Sequence, residues 1–390
     1  MSPVKPIEPV RRTRRSGAEP DGPDGAGARA GLAAAFGPGP RTSARSSTRT
    51  SARPGGRSRT RFAASAAALG LGLCAALSSC SSGLVAVGAH PTAPPVQLGS
   101  VITGTPAPAA TGSAATCNPE ASSLAPTASD SSGPTLQKIR DRGKLIVGVS
   151  EDGYLTGFLD PSTHQEEGFD VDIAEQVAKA IFGAPGHIQF VAVTNPERIT
   201  DITGIPATQT APAVLPSVDM TVDTMTINCQ RLQQVAFSSV YYEAQQRLLV
   251  LKNSGITSMQ QLAGQKVCAA TGSTSIQTIQ ESPSHPLAYG VVDFSDCLVA
   301  LQQNQASAAS TDDTILAGLA QQDPNTEVVG PSLESEPYGI AVSLKAPDLE
   351  EFVNGVLAQI RSDGTWEAIY NKWLGPYLGP TQPPVAHYSD

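Results

Sequence analysis

The sequence predicts an α/β protein with two lobes. From about residue 134 to residue 376, short apolar runs typical of strands alternate with segments of helical periodicity, which is the pattern of α/β folds. Two apolar runs are predicted to be crossover strands. Residues 246–251 carry the chain out of the first group of strands and helices, and residues 338–342 return it to that group. These two crossovers divide the folded part into lobe 1, residues 134–243 with 336–376, and lobe 2, residues 244–335.

The chain before residue 80 differs in charge from the rest. It contains 13 of the 26 Lys and Arg residues but only 4 of the 35 Asp and Glu residues, so the remainder carries 13 basic and 31 acidic residues, a net charge of −18. We expect residues 1–61, which are rich in Arg, Ser, Gly and Pro, to be disordered. The acidic remainder argues against nucleic acid as a partner, because phosphates repel it.

An apolar stretch over residues 62–79 follows the basic region. It is short for a membrane-spanning helix and typical of the core of a secretory signal. It ends in Leu77-Ser78-Ser79-Cys80, which resembles a bacterial lipobox, so we predict lipidation of Cys80. A plain signal peptide or a short membrane anchor is the alternative. We expect residues 80–133 to form a flexible tether of Ala, Pro, Ser and Thr, and residues 377–390 a Pro-rich tail.

Four cysteines remain besides Cys80 and Cys74, which lies in the signal core. They are Cys117, Cys229, Cys268 and Cys297. An even number in an exported chain indicates disulfides, and the residues alone leave three pairings open. The spacings are wide and include no Cys-X-X-Cys pair, which argues against a zinc site.

Lobe 1 opens with a predicted strand at residues 144–149, followed by a loop at residues 150–154. Such loops at the carboxyl ends of strands bind ligands in open α/β sheets. Glu151 and Tyr154 are therefore candidate ligand contacts. The acidic groups of this loop either hold a ligand amine or are solvated, and both interpretations stay open.

A helix is predicted after this loop. Phe169, Ile173, Val177 and Ile181 recur every four residues and form one apolar face, which packs on the sheet. Two acids in the first turn, at positions 170 and 172, resemble a catalytic pair. Acids in a first helical turn favour the helix dipole, so we interpret them as structural.

The segment at residues 224–231 follows a predicted strand and places two hydroxyls, Thr224 and Thr226, near Arg231. A guanidinium pairs a carboxylate through two parallel hydrogen bonds, and hydroxyls satisfy the remaining lone pairs. A solvated surface arginine is the alternative for this pattern alone.

Two further segments have the chemistry of a binding site for a zwitterion. Ser273 and Thr274 open a helix whose free N–H groups attract an anion, although ordinary helix capping explains the same residues. Asp312 follows a predicted strand and is placed to receive an ammonium group.

Taken together, these segments resemble family 3 extracellular solute-binding proteins, the polar amino-acid receptors of ABC importers. The resemblance covers roughly residues 136–376 and is closest in kind to actinobacterial glutamate/glutamine-binding lipoproteins. It rests on residues 168–174, 224–238, 266–274, 296–301, 311–318, 335–340 and 363–366. It implies a type II periplasmic-binding-protein-like fold, whose two lobes close around a ligand by hinge motion.

The resemblance also implies roles for individual residues. Arg231, Thr226 and Thr274 match the ligands of the α-carboxylate, and Asp312 matches the acid that takes the α-ammonium. Arg198 resembles an arginine that contacts a distal carboxylate, whereas Asp223 would repel an acidic ligand unless Arg198 neutralises it. We therefore expect glutamate, aspartate, glutamine or asparagine as the ligand. An aromatic ring that members often place opposite Tyr154 is missing near residue 195, which disfavours basic ligands.

The two lobes suggest how the cysteines pair. Cys268 begins a strand and Cys297 begins a helix of lobe 2, so we expect them to bond to each other. Cys117 then bonds to Cys229 and ties the end of the tether to lobe 1.

The resulting hypothesis is a lipid-anchored, monomeric receptor on the outer face of the cytoplasmic membrane, which delivers an amino acid to an ABC permease. A sensor that signals to a membrane protein is the alternative, and an enzyme on the same fold is a weaker one. No Ser/His/Asp set, metal cluster or phosphate loop stands out in the sequence, so we expect no catalytic residues, no metal and no cofactor.

Overall fold

A computed structural model describes residues 97–103, 117–126, 132–208 and 210–389. Its strands are β1 (Ser100–Val101), β2 (Leu145–Val149), β3 (Asp152–Gly153), β4 (Gly157–Leu159), β5 (Glu166–Glu167), β6 (Ile188–Ala192), β7 (Met220–Thr221), β8 (Val235–Phe237), β9 (Tyr242–Leu251), β10 (Lys266–Ala270), β11 (Leu287–Val291), β12 (Ala308–Asp312), β13 (Thr326–Tyr338) and β14 (Ala341–Ser343). Its α-helices are α1 (Pro134–Arg142), α2 (Phe169–Phe182), α3 (Glu197–Thr203), α4 (Thr274–Glu281), α5 (Phe294–Gln302), α6 (Asp313–Gln322), α7 (Pro347–Ser362), α8 (Thr365–Trp373) and α9 (Gly375–Leu378). Single 3₁₀ turns occur at Pro119–Ala121, Arg231–Gln233 and Met259–Leu262.

Two mixed sheets form the two lobes. The lobe 1 sheet has the order β6-β2-β7-β14-β8, and the lobe 2 sheet has the order β1-β11-β10-β12-β9-β13. A small antiparallel sheet, β3-β4-β5, is formed by residues of the lobe 1 part of the chain. Strands β9 and β13 pair antiparallel, with Tyr242 opposite Tyr338, and carry the chain between the two lobes. The two-lobed α/β fold with two crossovers is therefore confirmed.

Both faces of each main sheet are covered, as expected for sheets with parallel strands. In β2, Val147 packs with α2, α7 and α8, whereas its neighbour Ile146 packs with a second cluster on the opposite face. In β10, Cys268 and Val267 divide in the same way between two clusters of lobe 2. The apolar face predicted for α2 is confirmed, because all four of its residues at that spacing are buried.

Two segments of the expected flexible tether belong to the folded domain, so that expectation is wrong for them. Strand β1 pairs antiparallel with β11, and Ile102 N–H donates to the carbonyl of Ala288 at 2.8 Å. On lobe 1, the N–H of Leu124 donates to Glu350 at 2.8 Å. The local sequence carries no signal for this, because strand addition to a sheet edge depends on main-chain groups.

The C-terminal segment is also partly built into the fold. Helix α9 occupies the start of the stretch that sequence assigns to the tail. Near the end, Ser389 N–H donates to the carbonyl of Ser123 at 2.7 Å. The expected tail is therefore held against the segment that precedes lobe 1.

Both predicted disulfides are present. Cys117 bonds to Cys229, with 6.1 Å between their Cα atoms, and Cys268 bonds to Cys297, with 5.5 Å. The first joins the segment before lobe 1 to the region beside Arg231. The second lies within the lobe 2 core.

The predicted basic region, signal core and lipidated Cys80 lie outside the described residues. Within the ranges that are described, no helix combines the length and apolar character that crossing a bilayer requires.

Candidate functional site

The predicted site residues come from strand ends and helix starts that face the cleft between the lobes. Thr224 and Thr226 follow β7, and Arg231 begins a 3₁₀ turn of lobe 1. Thr274 is the first residue of α4, and Asp312 is the last residue of β12. Ligands of open α/β sheets bind at this edge, where loops bring side chains from separate strands together.

Three of these residues meet directly across the lobes. The hydroxyl oxygens of Thr226 and Thr274 lie 3.3 Å apart. Arg231 Nη1 donates to the carbonyl of Thr226 at 2.7 Å, and Nη2 approaches the carbonyl of Gly272 at 3.4 Å. The group at this side of the cleft, which also includes Asp312 and Glu336, is called the Arg231 end.

Arg231 is buried, with 8% of its surface exposed. The pKa of its guanidinium is lowered to about 9, chiefly by burial and then by the nearby charge of Arg198, while Glu336 and Asp312 oppose this shift. The guanidinium stays charged at neutral pH. It is therefore a buried cation, whose two terminal nitrogens face the carbonyls of Thr226 and Gly272.

Asp312 has one satisfied and one unsatisfied oxygen. Its Oδ2 accepts from the hydroxyl of Tyr338 at 2.7 Å, whereas its buried Oδ1 has no partner among the described residues. Burial raises the pKa of this carboxyl well above its usual range, and the charge of Glu336 raises it further. An ammonium group at Oδ1 would satisfy the oxygen and oppose both effects.

Glu336 is a site residue that the sequence interpretation missed. It lies in β13, is fully buried, and its Oε2 accepts hydrogen bonds from the hydroxyls of Thr226 and Thr274. Its Oε1 is buried without a partner in the described part of the chain. The segment at residues 335–340 was recognised only as a family motif, and an acid beside a proline carries no signal of burial.

A second group of cleft residues, called the Arg198 end, contains Arg198, Asn195 and Asp223. Arg198 and Asp223 are buried, with 3% and 7% exposed surface, and Arg198 Nε lies 3.7 Å from Asp223 Oδ2. Arg198 Nη1 donates to the carbonyl of Asp223 at 2.7 Å, and Nη2 donates to the side-chain oxygen of Asn195. Arg198 is thus held by lobe 1 itself.

Burial raises the pKa of Asp223 to about 7, against the opposing charge of Arg198. Asp170 and Asp152 add to the upward shift. The cavity beside these groups measures about 20 Å³ and is lined from both lobes, by residues that include Asp223, Asn195 and Ile315. The Arg198 end is therefore narrow in this structure.

Thr224 is placed by Asp170, one of the two acids interpreted as structural. Thr224 has a positive φ of 43° and its N–H donates to Asp170 Oδ2 at 2.7 Å. Asp170 Oδ1 accepts from the hydroxyl of Tyr241 at 2.8 Å. The structural interpretation holds, but the mechanism is different, because Asp170 fixes a distant loop in addition to any effect on the helix dipole.

Three predicted contacts lie differently from expectation. Ser273 caps α4, since its hydroxyl accepts from Ile276 N–H at 3.2 Å and donates to Ala270 at 2.6 Å. Glu151 is exposed. Tyr154 packs against Phe158, with ring centroids 4.9 Å apart. Capping thus occupies the Ser273 hydroxyl. Neither Glu151 nor Tyr154 lines the small cavity at the Arg198 end or the larger cavity beside the Arg231 end.

Asp152, rather than Glu151, reaches across the cleft. Its Oδ2 accepts from the N–H of Ser295, in the first turn of α5, at 2.9 Å. Gly318 also allows close approach of the lobes, because a Cβ there would lie 2.0 Å from the carbonyl of Tyr154. The acids of this loop were expected to hold a ligand amine or to be solvated, whereas Asp152 accepts a hydrogen bond from lobe 2. Their spacing in the sequence did not identify which acid faces lobe 2.

A larger cavity of about 730 Å³ lies beside the Arg231 end. Its lining includes both hydroxyls, of Thr226 and Thr274, and four acids, Glu120, Glu281, Glu334 and Glu336. The Arg231 end therefore combines a buried cation, hydroxyl donors and unsatisfied carboxylate oxygens. This set of groups can hold both charges of a zwitterion.

Comparisons with known proteins identify the family of the chain. Residues 145–376 match the family of bacterial extracellular solute-binding proteins, family 3. The ABC transporter glutamine-binding protein GlnH of Bacillus subtilis (strain 168) is 39% identical over 241 residues, which cover 62% of this chain and 84% of the relative. A glutamine-binding protein of Geobacillus stearothermophilus is 40% identical over 207 residues, covering 53% and 75%.

A solved structure of an ancestral arginine-binding protein bound to glutamine superposes with a TM-score of 0.53 at 31% identity. It covers 60% of this chain and 99% of that protein. The family model spans more than half of the chain and contains every residue of both ends of the cleft. Its members are binding proteins, which confirms that the chain is not an enzyme. The chain belongs to family 3 of the bacterial extracellular solute-binding proteins.

Proposed function

We propose that this protein is a receptor for a polar amino acid with an amide side chain, glutamine first, and that it delivers this ligand to an ABC importer. The observation that carries the choice of ligand is the internal pairing of Arg198 with Asp223 and Asn195. The names of both glutamine-binding relatives support the ligand, and the name of the Bacillus subtilis ABC transporter protein supports the transport role.

The Arg231 end supplies the handle common to all amino acids. The guanidinium of Arg231 and the hydroxyls of Thr226 and Thr274 bind the α-carboxylate. Asp312 Oδ1, which is buried without a partner in the described chain, receives the α-ammonium. Because Arg231 and Asp312 come from different lobes, a bound zwitterion stabilises the closed form over the open one.

The Arg198 end selects the side chain. Arg198 is already opposed by Asp223 and donates to Asn195, so a second carboxylate there would face Asp223 without a free counter-charge. Two like charges about 4 Å apart repel by about 4 kcal/mol at an effective dielectric constant of 20. An amide avoids this repulsion, and its N–H₂ can donate to Asp223 while its oxygen accepts from Arg198.

Thermal unfolding of ligand-free protein against the twenty amino acids tests this proposal. Glutamine at 100 times its Kd should stabilise the protein by about 2.7 kcal/mol. Glutamate at the same concentration should give a smaller shift. Stabilisation by glutamate but not glutamine would contradict the ligand assignment, and no shift with any amino acid would contradict the receptor role.

We also propose that a lipid on Cys80 anchors the receptor to the outer face of the cytoplasmic membrane, as Leu77-Ser78-Ser79-Cys80 suggests. Metabolic labelling with palmitate should label the chain, and Cys80→Ser should abolish the label. Cys74→Ser, six residues earlier in the same apolar stretch, is the matched control and should keep it. Labelling that survives Cys80→Ser would rule out this anchor.

A further inference from the structure

Glu336 bonds to two hydroxyls that the proposed function assigns to the ligand. Thr226 in lobe 1 and Thr274 in lobe 2 both donate to a single oxygen, Oε2. Each hydroxyl has one proton to donate. While Glu336 accepts both protons, neither hydroxyl can donate to another carboxylate.

Glu336 also interacts with the cation that the proposed function assigns to the ligand carboxylate. Arg231, the buried cation of the same end, is among the groups whose charge acts on Glu336. The side chain is fully buried, and its Oε1 has no partner within the described residues. A buried carboxylate with one unsatisfied oxygen is costly, so its presence at the ligand position calls for an explanation in terms of function.

We propose that Glu336 is an internal substitute for the ligand's α-carboxylate, which occupies the Thr226 and Thr274 hydroxyls when no amino acid is bound and must give them up for binding. This inference rests on the proposed function. It makes Glu336 a residue that sets affinity, because every ligand has to displace the same two hydrogen bonds.

By taking the place of the ligand carboxylate, Glu336 also connects the two lobes. The carboxylate joins a hydroxyl of lobe 1 to a hydroxyl of lobe 2, so it links the lobes in the way expected of a ligand. Glu336 itself lies on β13, one of the two crossover strands, two residues before its end at Tyr338. The ligand-free protein can therefore hold its lobes together without an amino acid.

The surroundings determine how Glu336 responds to a second carboxylate. The charges of Arg231 on the lobe 1 turn and Glu334 on its own strand act on Glu336, and Glu336 and Asp312 on β12 act on each other. Tyr338 donates to Asp312 rather than to Glu336. The adjoining cavity adds Glu120 and Glu281. Burial is the largest cause of a raised pKa of Glu336. With one cation among these acids, a ligand carboxylate favours protonation of Glu336, so ligand binding should be accompanied by proton uptake.

The test compares Glu336→Gln with the wild-type protein by titration calorimetry with glutamine. Gln is similar in size and removes the charge, so the variant should bind glutamine at least tenfold more tightly at pH 8. The advantage should shrink as the pH falls toward 5, since protonation removes the charge from the wild-type side chain as well.

Glu327→Gln is the matched control. Glu327 is an exposed acid on the same strand, and the variant removes the same charge at a position that does not line the cavity beside the Arg231 end. It should change the affinity by less than about threefold. Circular dichroism and the melting temperature of each variant show whether the fold is retained.

Three results would overturn the inference. Weaker binding by Glu336→Gln would show that Glu336 assists Asp312 in holding the ammonium group. Equal affinity at every pH in a folded variant would show that it has a structural role only. An equal gain in Glu327→Gln would show a general effect of charge. If the wild-type protein binds no amino acid at all, it is the proposed function that fails, and this outcome is seen before any variant is made.

Discussion

At the Arg231 end of the cleft, two buried carboxylate oxygens lack partners among the described residues, whereas at the Arg198 end the charged groups are paired with each other. The first end opens onto a cavity of about 730 Å³, and the second encloses about 20 Å³. We propose that this difference reflects two roles. The Arg231 end, where Asp312 Oδ1 has no partner among the described residues, holds the part common to all amino acids, and the Arg198 end, whose charges are paired, restricts which side chain is accepted.

Arg231→Ala gives the largest expected loss and tests the Arg231 end. Removing one member of a buried, hydrogen-bonded charge pair costs about 2–5 kcal/mol, so the variant should bind every amino acid at least about 30-fold more weakly. Arg142→Ala, at a partly exposed arginine paired with Asp219, is the control and should leave the affinity unchanged. Calorimetry with glutamine measures both, and near-normal binding by Arg231→Ala would contradict the assignment.

Asp312→Asn should give the second-largest loss of affinity, because the amide keeps the shape of the side chain but loses the negative charge that attracts the α-ammonium. We expect a loss of roughly 2 kcal/mol in binding free energy, as for hydrogen bonds to charged groups. Asp313→Asn is the matched control. Asp313 is the next residue along the chain, and its carboxylate accepts a hydrogen bond from Gln245 N–H. Equal losses in the two variants would contradict a specific role of Asp312.

Asp223→Asn should change the preference between ligands rather than the affinity for all of them. Without the carboxylate, Arg198 has a free charge for a distal acid, so the ratio of glutamine to glutamate affinity should fall about tenfold or more, or 1.4 kcal/mol. Because the pKa of Asp223 is raised to about 7, the wild-type preference for glutamine should also fall as the pH drops through 7. An unchanged affinity ratio in the variant would contradict the role of the Arg198 end in selecting the ligand side chain.

The smallest of these effects concerns stability and pH. Burial raises the pKa of Asp170 to about 7 from the 3.8 of an unperturbed aspartate. The folded protein therefore binds more protons than the unfolded chain between these values, and this group's contribution to stability decreases as the pH rises from 4 to 7. Chemical denaturation should show a smaller decrease for Asp170→Asn over that range. A decrease as steep as in the wild-type protein would exclude Asp170 as the cause.

Much of the fold follows from local sequence patterns. The apolar period of α2 is readable because a helix on a sheet buries residues about four apart. The strand β2 is readable as a continuous apolar run because both faces of its sheet are covered. The edge strand β1 is not readable, because its two residues pair through main-chain groups within a Pro- and Thr-rich segment.

The site is less predictable than the fold, because its decisive contacts join distant residues. Asp170 reaches Thr224, 54 residues away, and Glu336 reaches Thr226, 110 residues away. Sequence spacing within a helix or loop does not encode such contacts. Residues at motif positions, such as Arg231 and Asp312, were identified by resemblance, whereas Glu336 and Asp152 required the positions of both lobes.

The most direct test is titration of ligand-free wild-type protein with glutamine and with glutamate at pH 8, where Asp223 is mostly ionised. We expect both ligands to bind through the Arg231 end and glutamine to bind at least tenfold more tightly than glutamate. Tighter binding of glutamate would contradict this expectation, because Arg198 would then be free to hold a distal carboxylate despite its pairing with Asp223.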